Sequence, residues 1–75
     1  MSRANLQTRL QALVADMVGG GIRLEEALRE LETHFLRQVL QQHNGNQSKA
    51  AAALDIHRNT LRTKMRRCGL LPRPD

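Results

Sequence analysis

Arginines stand at positions 58, 62 and 66, with Asn59 and Thr63 among them. On a helix advancing about 100° per residue from Arg58 at zero, Arg62, Arg66, Asn59 and Thr63 fall between about 40° and 140°, with Arg58 at the border. Leu61, Met65 and Cys68 fall between about 280° and 340°, on a separate and apolar side. A guanidinium is a planar fork of donors that matches paired acceptors, such as guanine O6 and N7 or two phosphate oxygens. One helix with cations, an amide and a hydroxyl on its outward face, and apolar groups behind, suits recognition of a nucleic acid. The plainer reading, a solvated helix carrying scattered cations, leaves that one-sidedness unexplained.

The other reactive residue types do not assemble a site. His34, His43 and His57 lie nine and fourteen residues apart, and none has the i, i+4 spacing that sets two metal ligands on one helix face. No metal or cofactor is therefore expected, and no small-molecule ligand. Cys68 is the one cysteine, which excludes an internal disulfide and fits a reducing cytosol. His57 and Cys68 are eleven residues apart, about 16 Å along a helix axis at 1.5 Å per residue, too far for a nucleophile and its base. An enzyme is not expected.

Charge supports the binding reading. The net charge is +5. Over residues 1–45 five arginines cancel five acids, so the whole excess falls in residues 46–75, on Lys49, Arg58, Arg62, Lys64, Arg66, Arg67 and Arg73 against Asp55 and Asp75. A cationic surface at one end is the electrostatic footprint of a nucleic-acid binder. Phe35 is the sole aromatic residue, which argues against single-strand binding, since that relies on stacked rings. No signal peptide is visible, and no apolar run approaches the roughly 20 residues of a membrane span. A cytoplasmic, nucleoid-associated location is expected.

The elements that must hold the arginines are all helical, and no strand pattern occurs. Leu6, Leu10, Leu13, Val14 and Met17 predict a first helix from about Ser2 to Val18, with Ser2 as N-cap and Gly19, Gly20 and Gly21 as the stop. Leu24, Leu28, Leu31, Phe35 and Val39 predict a second from about Arg23 to Gln42, widened by Ala27, Leu36 and Leu40. Glu25 and Glu26 suit its positive end, and Asn44-Gly45 ends it, with Gly45 left-handed. Asn46 caps a short third helix, Gln47 to Leu54, kept narrow by four alanines. Asp55 interrupts in a left-handed conformation, Ile56 is a buried turn residue, and His57 lies at the start of a fourth helix, Arg58 to Cys68. Gly69 ends it, and Pro72 and Pro74 keep it from resuming.

Helix, short turn, helix is the helix-turn-helix plan, held together here by Leu54, Ile56, Leu61 and Met65. The division is residues 1–43 as dimerisation helices and 44–75 as the helix-turn-helix, within one compact domain. A 75-residue chain buries little of its surface, and neither metal nor disulfide compensates. The stripes on the first two helices are too wide for a hairpin pair to enclose. Pairing with a second copy into an intertwined four-helix bundle would bury Leu10, Leu13, Met17, Leu31, Phe35 and Val39; otherwise the stripes must pack on the C-terminal helices of the same chain.

The segments Gly45-Asn46-Gln47-Ser48-Lys49-Ala50-Ala51, Leu54 to Arg62, and Arg66-Arg67-Cys68-Gly69-Leu70 resemble the Fis-type DNA-binding domain. That family includes nucleoid proteins and the C-terminal domains of NtrC-type activators. The resemblance covers residues 22–71 and implies a bacterial homodimer whose two recognition helices, set close together, enter successive major grooves of bent DNA. It places base and phosphate contacts on Asn46, Ser48, His57, Arg58, Thr60, Arg62, Thr63 and Lys64, beside Arg66 from the outward face. His57 replaces an asparagine usual in the family, Thr63 a lysine, and Asp55 a turn glycine. The chain begins near the first dimer helix, without the β-hairpin arm of the nucleoid proteins or the ATPase module of the activators. The function expected is a sequence-tolerant, DNA-bending nucleoid protein and transcriptional regulator. The competing readings are an excised activator domain and, in another class, a helical protein–protein adaptor; the adaptor leaves the charge partition unexplained.

Overall fold

The structure, a computed structural model, describes residues 2–71. Among them are four α-helices and no strand: α1 Arg3–Gly19, α2 Leu24–Gln42, α3 Gln47–Ala53 and α4 Arg58–Arg67. The expected bounds hold to within a residue or so. Pro72 and Pro74, expected to stop the last helix resuming, lie outside the described residues. No helix of the described chain is long and apolar enough to cross a membrane.

Capping chemistry sets where each helix starts. The Ser2 hydroxyl accepts from the Asn5 N–H at 3.3 Å, and the Asn46 side-chain oxygen accepts from the Lys49 N–H at 3.0 Å. Both satisfy an amide of the first turn that has no intrahelical partner. Helix α2 starts at Arg23 without a side-chain cap; Arg23 instead pairs with Glu26 at 2.7 Å.

All four helices end in the same double hydrogen bond. Ile22 N–H donates to Met17 C=O and Gly21 to Val18; Gly45 to Leu40 and Asn44 to Gln41; Ile56 to Ala51 and Asp55 to Ala52; Leu70 to Met65 and Gly69 to Arg66. This Schellman arrangement needs a left-handed residue just past the cap. Gly21 and Gly69 supply it without strain, at φ 74° and 71°. At the end of α2 the position falls to Asn44 (φ 54°), one residue before the expected Gly45, which is itself left-handed at φ 80°. Asp55 holds it at φ 56°, as expected.

The core sits around the helix-turn-helix. Leu36, Ala50, Ala51, Leu61 and Met65 are buried, with Val39, Leu40, Leu54, Ile56, Cys68, Leu70 and Leu71 packed against them. Ile56, expected buried, is half-buried, because it crosses the turn at the edge of the cluster. The α2 stripe divides in two. Leu36, Val39 and Leu40, from the segment assigned to dimerisation, join the helix-turn-helix core. Leu24, Leu28, Leu31 and Phe35 stay exposed, and α1 buries no residue. The radius of gyration is 14.3 Å, against about 11 Å for a compact chain of this length, in keeping with α1 and the first half of α2 standing away from the core.

Candidate nucleic-acid interface

Helix α4 is held by two residues one turn apart. Leu61 is fully buried and Met65 nearly so, which fixes the rotation of the helix about its axis. Arg58, Asn59, Thr63, Arg66 and Arg67 are then exposed. Of the outward face expected from the sequence, Arg58, Asn59, Thr63 and Arg66 are exposed, whereas Arg62 is half-buried. The narrowness of α3 allows α4 to seat this way: Ala50 and Ala51 have almost no exposed surface, and their small side chains let α4 approach.

The start of α4 is shaped by His57. Its Nδ1 accepts from the Asn59 backbone N–H at 3.2 Å, so the ring serves as N-cap. That bond requires the ring proton on Nε2, which leaves Nε2–H as an outward donor in the neutral form. Thr63 donates its hydroxyl to Asn59 C=O at 3.0 Å, keeping only acceptor capacity for a ligand. Ser48 and Thr60 are exposed, and Asn46 is exposed with its side-chain oxygen committed to the α3 cap.

Two cations differ from the simple outward picture. Arg62 is half-buried, and its Nη1 donates to Gln47 Oε1 at 3.3 Å, which ties the middle of α4 to the start of α3. Lys64 is half-buried as well, with its Nζ 3.0 Å from Glu32 Oε2 on α2. The other oxygen of that carboxylate accepts a weak bond from Cys68 Sγ at 3.8 Å. Sequence reasoning missed Gln47 and Glu32. Glu32 did carry a signal: on the α2 wheel it falls at about 80° from Leu24, between Val39 at about 60° and Leu36 at about 120°, hence on the core-facing side.

Of the residues expected at a dimer interface, Leu10, Leu13, Leu31 and Phe35 are exposed, Met17 is half-buried, and Val39 packs against the chain's own core. No buried side-chain polar atom among the described residues lacks a partner. Arg58, Arg66 and Arg67 are the exposed cations of α4.

Comparison with known proteins agrees with this geometry. A family model described as "Bacterial regulatory protein, Fis family" matches residues 27–67, just over half of the chain. A protein of Xylella fastidiosa strain Temecula1, whose name calls it Fis-like and DNA-binding, is 54% identical over 44 residues, covering 59% of this chain and 49% of its own. A similarly named protein of Neisseria meningitidis serogroup A is 48% identical over 44 residues, covering 59% and 56%. The DNA-binding protein Fis of Glaesserella parasuis serovar 5 is 44% identical over 46 residues, covering 61% and 47%. The chain spans about half the length of the curated relatives it matches. No solved structure matches it.

Proposed function

Because the chain belongs to the Fis family of bacterial regulatory proteins, we propose that it binds double-stranded DNA as a dimer, with α4 entering the major groove. The observation that carries this reading is the anchored cationic face of α4: Leu61 and Met65 are buried while Arg58 and Arg66 stand outward with Asn59 and Thr63. Relatives named as DNA-binding proteins support it. Arg58 and Arg62 read base edges as guanidinium forks, while Arg66 and Ser48 hold phosphates. His57 contributes its Nε2–H, and Thr60, Thr63 and Asn46 add polar contacts.

Dimerisation is supported by apolar surface. Leu6, Leu10 and Leu13 on α1, and Leu28, Leu31 and Phe35 on α2, each keep about half of their area exposed at helical spacing, the pattern of faces made to be covered. A second copy covers it in a four-helix bundle and sets two α4 helices side by side. The role is then binding and shaping of DNA rather than chemistry, in the bacterial nucleoid, with tolerance of many sequences and an effect on transcription.

The test is a gel-shift titration on random duplex DNA at two salt concentrations. Cations neutralising phosphates give a log affinity that falls with log salt, by about 0.9 per phosphate. Affinity without salt dependence, or no retardation, rejects the reading.

A further inference from the structure

We infer that Glu32 and Lys64 form a strut that positions the recognition helix, and that Lys64 works through Glu32 rather than through a DNA phosphate. Three observations converge. The Lys64 ammonium lies 3.0 Å from Glu32 across 32 residues of sequence, joining α4 to α2. This pair is more sheltered than Arg23–Glu26 or His34–Glu30, with side chains 34% and 31% exposed, against 79% and 53% for Arg23 and Glu26. On the α4 wheel Lys64 falls at about 240°, beside half-buried Cys68 and buried Leu61 and about 150° from the centre of the outward arginine face.

The same carboxylate also receives the Cys68 thiol, so one acid grips Lys64 on α4 and Cys68 at its C-cap, four residues apart. The grip spans a place where packing is incomplete. A groove of about 390 Å³ separates α2 from the turn, with Leu28, Phe35, Leu54 and Ile56 among its walls and Glu32 and Lys64 at its border. Apolar contact does not fix the tilt of α4 on that side. The strut does, and the tilt decides how α4 meets a groove of DNA. The last consequence rests on the DNA-binding reading; the strut itself does not.

The experiment uses the full chain with Glu32→Gln, Lys64→Met, their double variant, Lys64→Glu, and the exchanged pair E32K/K64E, beside Arg66→Met. Melting is followed without DNA, and affinity for one fixed duplex is followed against salt. The expected result is that Glu32→Gln and Lys64→Met each lower the melting midpoint and the double variant lowers it no further than either. Lys64→Met leaves the salt slope unchanged, whereas Arg66→Met flattens it by about 0.9 for each phosphate no longer neutralised. The exchanged pair regains the affinity that Lys64→Glu loses. Additive midpoints overturn the strut. So does a Lys64→Met slope as flat as that of Arg66→Met, or an exchanged pair binding no better than Lys64→Glu. If the unaltered chain retains no duplex, the DNA reading falls, and the melting cycle still decides the strut.

Discussion

The Arg62 guanidinium donates to Gln47 Oε1 at 3.3 Å, so the first residue of α3 aims an arginine in the middle of α4. Arg62→Ala is expected to lose about 1–3 kcal/mol on a preferred site and to flatten preference over random DNA. Gln47→Leu removes the acceptor and leaves the arginine in place; it is expected to cost about 1 kcal/mol. The two together should cost little more than Arg62→Ala alone. Competition binding with preferred and random duplexes measures both quantities. An unchanged preference ratio for Arg62→Ala would remove it from base readout.

The exposed apolar faces of α1 and α2 predict an obligate dimer. If two copies meet at Phe35, Phe35→Asp places a charge in that contact and forfeits about 1.5–3 kcal/mol of burial on each side. A chain of this size holds only about 4–11 kcal/mol in total. The expected outcome is an unfolded chain, not a folded monomer. Circular dichroism reports the unfolding, and sedimentation of the unaltered protein at micromolar concentration should show a dimer. A folded monomer there contradicts the prediction.

His57 caps α4 through a ring nitrogen. His57→Ala is expected to cost about 1 kcal/mol of stability, as for other lost N-caps, and His57→Asn should keep it, since asparagine is among the best capping residues. Thermal denaturation without DNA separates the two. Equal destabilisation by both variants would mean that the cap contributes little.

Asp55 holds a left-handed conformation at φ 56°. Asp55→Gly relieves about 1–2 kcal/mol of backbone strain and gives back about 0.4–1 through a more flexible unfolded chain. A net gain of about 0.5 kcal/mol is expected in denaturant titration. Asp55→Val should lose stability, because a β-branched side chain tolerates positive φ poorly.

Two short recognition helices specify few base pairs directly. If the dimer sets them closer than one turn of straight DNA, about 34–36 Å, the site must bend, at a cost of order 1–6 kcal/mol that falls for flexible sequences. Replacing an A·T-rich centre with G·C pairs, flanks unchanged, is expected to lower affinity. A circular-permutation gel should show a bend at the site. Equal affinity and a straight complex would leave side-chain contacts as the source of specificity.

Local rules reached most of this fold because its boundaries are local. Ser2, Asn46 and His57 stand at helix starts, and each acts on an amide two or three residues ahead. The buried side of α4 follows from period alone, since Leu61 and Met65 are one turn apart. The division of the α2 stripe was not legible. Leu31 and Leu36 are both leucines on one wide band, and only the placement of α3 and α4 decides that Leu36 is buried and Leu31 is not. The same holds within the site. The outward arginines come from the wheel, whereas the partners of Arg62 and Lys64 depend on where two other helices cross.

Helix α1 buries nothing, and the whole core lies between Leu36 and Leu71. The half of the chain that closes on itself therefore does so through neighbours close in sequence, a low contact order that favours rapid collapse. If a second copy covers α1 and the first half of α2, as proposed, that step is a collision between molecules. Refolding is expected in two stages, a fast one independent of protein concentration and a later one that accelerates with it. On that reading the chain between the stages still lacks its partner, so the amount of newly made protein, and not only its intrinsic stability, would set how soon it matures.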